Sequence, residues 1–200
     1  MSATDRPRLI YLHGFRSSPK SFKAQMIGER LRAMGRGADF ICPQLPASPR
    51  EAIALVRNRI APTAQDTLVG SSLGGFYATV LAEHLGCRAV LLNPAVDPAP
   101  GLAAHVGVQT MFHSDEPFEF LPEYVDELRA LAFGAITFPQ RYLLVAAKGD
   151  ELLDWRVMVA HYPGARQKVL EGSDHGLSDF EQYMDEVLAF VGVTPGAGAG

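Results

Sequence analysis

Cysteine is scarce in this chain: Cys42 and Cys87 are the only two among 200 residues. They lie far apart and match neither metal-ligand nor redox spacing, so they are expected to be buried free thiols, with no metal and no cofactor. No apolar run approaches the ~18 residues needed to span a bilayer. The stretch from Met1 to Arg8 is polar and lacks the apolar core of a secretory signal. A net charge of −4 supplies no basic excess for a nucleic-acid partner. Phosphate-binding glycine patterns are missing too: Gly70 to Gly75 has no Lys-Ser/Thr ending and misses the G-x-G-x-x-G spacing. These absences point to a cytoplasmic protein without a membrane or nucleic-acid partner.

With 48% hydrophobic and 20% charged residues, the composition is that of an ordinary soluble globular protein. The length suits one domain with a substantial core, expected over residues 1–193, followed by a disordered Gly/Ala tail over 194–200.

The most informative stretch runs from Asp66 to Gly86. Thr67 to Gly70 is a short apolar run, long enough for a buried strand and too short for a helix. From Leu73 the apolar residues Phe76, Tyr77, Val80, Leu81 and Leu85 fall three or four apart, and Gly86 ends the pattern. Between strand and helix lies Gly70-Ser71-Ser72-Leu73-Gly74, a G-x-S-x-G sequence in the context that motif needs. A serine hydroxyl becomes a useful nucleophile only when exposed and within reach of a base. A sharp, strained turn would lift Ser72 out of the sheet, and Gly70 and Gly74 would allow close strand–helix packing. The Leu73 N–H, at the start of the helix, is then free to meet the oxygen of an attacked carbonyl.

The rest of the chain repeats the alternation. Strands are expected at Leu9–Leu12, Asp39–Cys42, Ala89–Leu92, Tyr142–Ala147 and Gln167–Leu170. Helices are expected at Ser21–Met34, with Phe22, Met26, Ile27, Leu31 and Met34 facing inward, at Arg50–Ile60, and at Ser178–Val191. Strand–helix alternation implies an α/β fold, a mostly parallel sheet with helices on both faces. Residues 97–139 interrupt it and are expected to form a lid or cap, with most of its aromatic rings packing it onto the domain.

In such sheets ligands gather at the carboxyl ends of the strands. Four loops there carry candidate chemistry. The loop after the first strand, His13-Gly14-Phe15, is placed to supply a second oxyanion donor from the Phe15 N–H; His13 is read as a hydrogen-bonded support for that loop. Ser72 follows the third strand, Asp150 the strand at Tyr142–Ala147, and His175 the last strand. Ser72, Asp150, His175 is the nucleophile–acid–base order of an α/β hydrolase. His175 would take the serine proton and Asp150 would orient it. Asp97, after an earlier strand, is the substitute acid. Asp154 is read as a helix-start residue and Asp174 as too close in sequence to His175 to orient it. The remaining histidines, His84, His105, His113 and His161, are read as surface or packing residues.

Further matching stretches are Tyr11-Leu12-His13-Gly14-Phe15, Asn93-Pro94-Ala95-Val96, Gly149-Asp150-Glu151-Leu152-Leu153-Asp154 and Gly172-Ser173-Asp174-His175. With the double serine at Ser71-Ser72, the chain resembles the small bacterial YqiA-like esterases, a compact branch of the α/β hydrolases. The resemblance covers nearly the whole chain up to Val191. It implies an esterase acting on short acyl esters of small molecules, with Ser72, Asp150 and His175 as the triad. Ser173 and Leu177 depart from the glycine and aromatic expected at those places, which bears on the packing of the loop. A thioesterase, an amidase and a non-catalytic binding protein on the same fold are the alternatives. The insert also carries Asp115, Glu116, Glu119, Glu123, Asp126 and Glu127 without a Lys or Arg between them. This predicts a negative mouth that favours neutral or cationic esters over anionic ones.

Overall fold

The computed structural model describes residues 6–193; the tail expected to be disordered lies outside the described residues. Along the chain, β1 (Leu9–Leu12), α1 (Phe22–Ala33), β2 (Phe40–Ile41), α2 (Pro49–Ala54), β3 (Thr67–Ser71), α3 (Leu73–Leu85) and β4 (Arg88–Leu92) alternate as expected. The insert folds into α4 (Pro98–Ala103), an antiparallel hairpin of β5 (Gly107–Thr110) and β6 (Pro117–Phe120), and α5 (Pro122–Leu131). β7 (Tyr142–Ala147), α6 (Trp155–His161), β8 (Arg166–Leu170) and α7 (Met184–Phe190) complete the order.

The main sheet has six strands in the order β2-β1-β3-β4-β7-β8, all parallel. Its interior strands are apolar on both faces, as a sheet covered by helices on each side requires. Side chains alternate between the faces. Leu9, Tyr11, Val69, Val90, Leu143 and Val145 pack with α1 and α7, while Ile10, Leu12, Leu68, Leu91, Leu144 and Ala146 pack with α2, α3, α5 and α6. Register pairs Leu12 with Gly70, Ser71 with Leu92, Leu92 with Val145, and Ala147 with Leu170. The loops carrying His13, Ser72, Asn93, Asp150 and His175 therefore leave the same edge. Among the described residues, no helix is long and apolar enough to cross a membrane.

Three expectations are corrected. The helix expected over Arg50–Ile60 changes winding after Ala54: Leu55–Ile60 is a π-type segment closed by an Ala61 N–H to Val56 O bond of 2.9 Å. The wider turn shifts the helical phase, and Val56 is buried while Leu55 and Ile60 are only half-buried. The helix expected over Ser178–Val191 is a 3₁₀ turn, Phe180–Gln182, followed by α7, although its inward residues are buried as expected. Phe22, expected on the inner face of α1, is 53% exposed, whereas Lys23 is buried. At ~100° per residue, Lys23 falls on the stripe of Ile27 and Leu31, and Phe22 is turned away from it.

The junction of β3 and α3 is a backbone-to-backbone contact. A Cβ added at Gly70 would lie 2.1 Å from Gly74 O, and one added at Gly74 would lie 2.0 Å from Leu12 O. Neither neighbour is a flexible side chain, so nothing can swing aside. Gly70→Ala is expected to cost roughly 2–3 kcal/mol or more, lowering Tm by about 5–10 °C in a thermal melt. An unchanged Tm would show that this junction is looser than described.

Candidate active site

Ser72 sits between β3 and α3 with φ 55 and ψ −121, a conformation a non-glycine residue adopts only when its surroundings hold it there. Several bonds do so. Its N–H donates to Leu92 O at 3.1 Å, and its carbonyl accepts from the N–H groups of Gly75 and Ala95 at 2.8 and 3.0 Å. The strain of such a conformation, of order 1–3 kcal/mol, is offset by these bonds and the close packing beneath. The result is a half-buried Ser72 hydroxyl at the edge of the sheet.

His175 reaches it from the loop after β8. His175 Nε2 lies 3.0 Å from Ser72 Oγ, and His175 Nδ1 lies 2.8 Å from Asp150 Oδ2 and 3.0 Å from Oδ1. This geometry fits a neutral ring that donates from Nδ1 and accepts the Ser72 O–H at Nε2. The Asp150 side chain is fully buried, and its Oδ1 also accepts the N–H groups of Leu152 and Leu153, both at 2.9 Å. Asp97, the substitute acid, is exposed and makes no hydrogen bond to His175. Asp154 caps the start of α6 by accepting the Arg156 N–H at 2.9 Å. Asp174 accepts the Ser178 N–H at 3.0 Å.

Asn93, to which the sequence pattern assigned no role, constrains the His175 loop. It is fully buried with φ 43, and its Nδ2 donates to the carbonyls of Asp174 and His175 at 3.0 and 3.2 Å. Its Oδ1 accepts the Ala147 N–H at 2.8 Å, so one side chain ties the acid-bearing strand to the base loop. An asparagine before proline at a strand end, tolerant of positive φ, was the available signal. Glu151 adds a further bond, accepting the His175 N–H at 2.9 Å. Ser173, where glycine was expected, has φ 67; its hydroxyl bonds to Asp179, which helps hold that left-handed turn. Leu177, where an aromatic was expected, is fully buried against α7 and β7 residues.

The loop after β1 runs directly against the serine. A Cβ on Gly14 would lie 3.2 Å from Ser72 Cβ and 3.7 Å from Ser72 Oγ. The N–H groups of Phe15 and Leu73 have no hydrogen-bond partner among the described residues. His13 holds this loop as expected: its Nδ1 bonds to Gly14 O and its Nε2 accepts the Leu45 N–H, each at 3.0 Å. Burial, and secondarily the nearby His113, hold its pKa below the ordinary value of 6.5, against the Gly14 bond. The insert buttresses the same loop. Arg16 Nε donates to Thr110 O and the Phe112 N–H donates to Arg16 O, both at 2.7 Å. The Phe15 ring packs edge-on against Phe118 and Phe120. Phe112 departs from the packing expected of the insert's rings: it is 65% exposed, with the Arg16 guanidinium over its face.

Two cavities meet at Gly14, Phe15, Ser17 and His113. One, of about 240 Å³, contains Ser72, His175, Gly176 and Lys23. The other, of about 370 Å³, extends behind the Phe15 and Leu73 backbone toward Leu45, Tyr77 and Phe118. Of the six acids from Asp115 to Glu127, Glu116 alone lines either cavity, and Arg16, Lys20 and Lys23 line them too. Glu127 turns inward to Ser48 and Arg50, and Asp126 pairs with Arg129. Asp115 and Glu119, exposed on the hairpin, line neither cavity, and the three cations stand beside Glu116, so the lining itself does not carry the excess of negative charge expected from the insert. Among the described residues no group of three or more His, Cys, Asp or Glu is arranged to hold a metal ion.

A parallel sheet carrying a serine at a strand–helix turn, with a carboxylate and a histidine on later strand ends, defines the α/β-hydrolase class of folds. Solved structures share it. The chain superposes on a putative hydrolase from Agrobacterium vitis S4 with a TM-score of 0.72 and 22% identity, covering 94% of this chain and 88% of that one. The mouse alpha/beta hydrolase domain-containing protein 10 gives 0.68 at 17% identity, covering 92% and 90%. Est1E from Butyrivibrio proteoclasticus, solved with ferulic acid bound, gives 0.68 at 14%, covering 91% and 86%. Within that class, residues 8–192 match the model described as Uncharacterised protein family (UPF0227), and the chain belongs to that family, the YqiA-like one.

The lowered pKa of His13 has a consequence for stability. A neutral His13 accepts the Leu45 N–H; a protonated one cannot. Its contribution is therefore fully present above the unfolded value near 6.5 and is lost as pH falls through the lower folded value. Urea denaturation from about pH 7 to about pH 5 should show wild type losing more stability than His13→Gln over that range. Parallel curves for the two proteins would rule this out.

Proposed function

We propose that this protein is a serine hydrolase, foremost a carboxylesterase that cleaves small acyl esters through an acyl-enzyme on Ser72. The observation that carries the reading is the continuous hydrogen-bonded chain from Ser72 Oγ through His175 to the buried Asp150, with links of 3.0 and 2.8 Å. Ser72 Oγ attacks the ester carbonyl carbon as its proton passes to His175 Nε2. The carbonyl oxygen becomes an oxyanion within reach of the Phe15 and Leu73 N–H groups, whose lack of other partners supports that role. Collapse of this intermediate breaks the bond to the alcohol oxygen, which leaves with the proton from His175. A water then gives its proton to His175 and attacks the acyl group, releasing the acid and restoring Ser72. Asp150 stabilises the imidazolium in both halves. The insert over residues 97–139 acts as the cap of the site, a role supported by its bonds to the Phe15 loop. Similar folds include Est1E, solved with ferulic acid, which supports an ester-cleaving reading.

A serine-directed fluorophosphonate is expected to label the wild type and not Ser72→Ala; an unlabelled wild type beside a reactive control hydrolase would falsify the proposal. Hydrolysis of a 4-nitrophenyl short-chain ester should be abolished in Ser72→Ala and nearly so in His175→Ala. Asp150→Asn should lower kcat by about 10⁴-fold, while Asp97→Asn should stay within a few-fold of wild type. The reverse ranking of the two aspartates would overturn the acid assignment.

A further inference from the structure

Lys23 is a charge in an unfavourable place. It is only 8% exposed, and no carboxylate forms an ion pair with it among the described residues. As the second residue of α1, it also sits where the helix dipole disfavours a cation. Its ammonium donates to Gly176 O, which occupies one of its three N–H groups. Asp174 and Asp150 attract it from beyond ion-pair distance; both Asp150 oxygens are engaged by His175, Leu152 and Leu153, and Asp174 Oδ1 by the Ser178 N–H. Burial pushes its pKa down to about 8, against the pull of those two acids, so it remains largely charged at neutral pH. Beside it, Ser21 Oγ is buried next to the Tyr11 hydroxyl, without a hydrogen bond of good geometry among the described residues. Both residues line the cavity that contains Ser72 and His175.

Buried cations are normally paired, and an unpaired one beside a nucleophile is suited to receive an anion from the substrate. The chemistry fixes which end of the ester that anion occupies. His175 must return a proton to the departing oxygen, so the alcohol lies on the His175 side, along the wall of Gly176 and Lys23. The Phe15 and Leu73 N–H groups hold the carbonyl oxygen, and the second cavity, where Leu45, Tyr77 and Phe118 offer apolar wall beside the charged Arg16, Lys20 and Glu116, accommodates the acyl chain. Resting on the serine-hydrolase reading, we infer that Lys23 and Ser21 form a leaving-group subsite that recognises a carboxylate on a short alcohol, making O-acyl hydroxy-carboxylates the favoured class of ester. A single ammonium matches a monoanion, and a cavity of about 240 Å³ keeps that carboxylate close to the scissile bond. This preference is opposite in sign to the one predicted from the acidic insert.

The test uses two isomers of equal charge and size with the ester reversed: 3-(butanoyloxy)propanoate, anionic on the alcohol, and monopropyl succinate, anionic on the acyl group. Propyl butanoate is the neutral control, and a pH-stat follows all three. Wild type should hydrolyse the first isomer with a kcat/KM about tenfold or more above the second, and Lys23→Met should bring the ratio near one. Equal constants for the isomers in wild type would overturn the inference, as would a Lys23→Met variant that slows both equally, the mark of a purely structural tie to Gly176. If that variant fails to fold, the wild-type isomer ratio decides alone, with Ser21→Ala expected to lower it. Turnover of propyl butanoate without isomer preference would sink this subsite and leave the hydrolase reading intact. No turnover of any ester, together with no fluorophosphonate labelling, would sink both.

Discussion

The close approach of three backbones at the β1–β3–α3 junction is the constraint on which the site depends. Gly70 lies against Gly74 and Gly74 against Leu12 at distances that leave no room for a methyl group, and Gly14 lies against Ser72 with little to spare. That contact lets α3 leave the sheet at once, so Ser72 is held at positive φ with its hydroxyl raised above the strand ends. Stability and geometry are coupled here: the packing that tolerates a strained serine also aims it.

The other loops are fastened to this junction by bonds that no single segment makes alone. Asn93 bridges β7 and the base loop, Ser72 O receives the Ala95 N–H, and Glu151 receives the His175 N–H. His13, kept neutral by burial, fixes the loop after β1 to that after β2 through Leu45. The hairpin of the insert adds a second fastening through Arg16 and Phe112. Preorganisation of this kind is what gives aimed N–H groups and a positioned imidazole their value in a partly dry site.

Charge is distributed less simply than residue counts imply. Of the acids from Asp115 to Glu127 only Glu116 lines the cavities: α5 directs Glu127 into Ser48 and Arg50 and leaves Asp126 with Arg129, while Asp115 and Glu119 lie exposed on the hairpin. The cations Arg16, Lys20 and Lys23 arrive from the β1 loop and the start of α1. Local charge density along the chain is therefore a poor guide to the potential over a site built from separate loops.

The strands, the turn at Ser72 and the chain order of Ser72, Asp150 and His175 were legible in the sequence because each is a short-range pattern. A run of apolar residues, a glycine spacing and a loop position are encoded within about ten neighbours. The family resemblance rested on the same short stretches. Where a residue's place depended on phase or on distant partners, the sequence did not decide. Phe22 points outward and Lys23 inward because one residue of helical phase, ~100°, separates an inward side chain from an outward one. Asn93 looked like part of a turn, and only the register of β4, β7 and β8 brings its amide to the base loop. The preference for Asp150 over Asp97 was an inference from order; the tertiary structure puts one carboxylate on His175 and leaves the other exposed. The physical reason is common to all three: sequence patterns specify which way a segment turns, while contacts between segments are fixed only when the sheet closes and the helices pack.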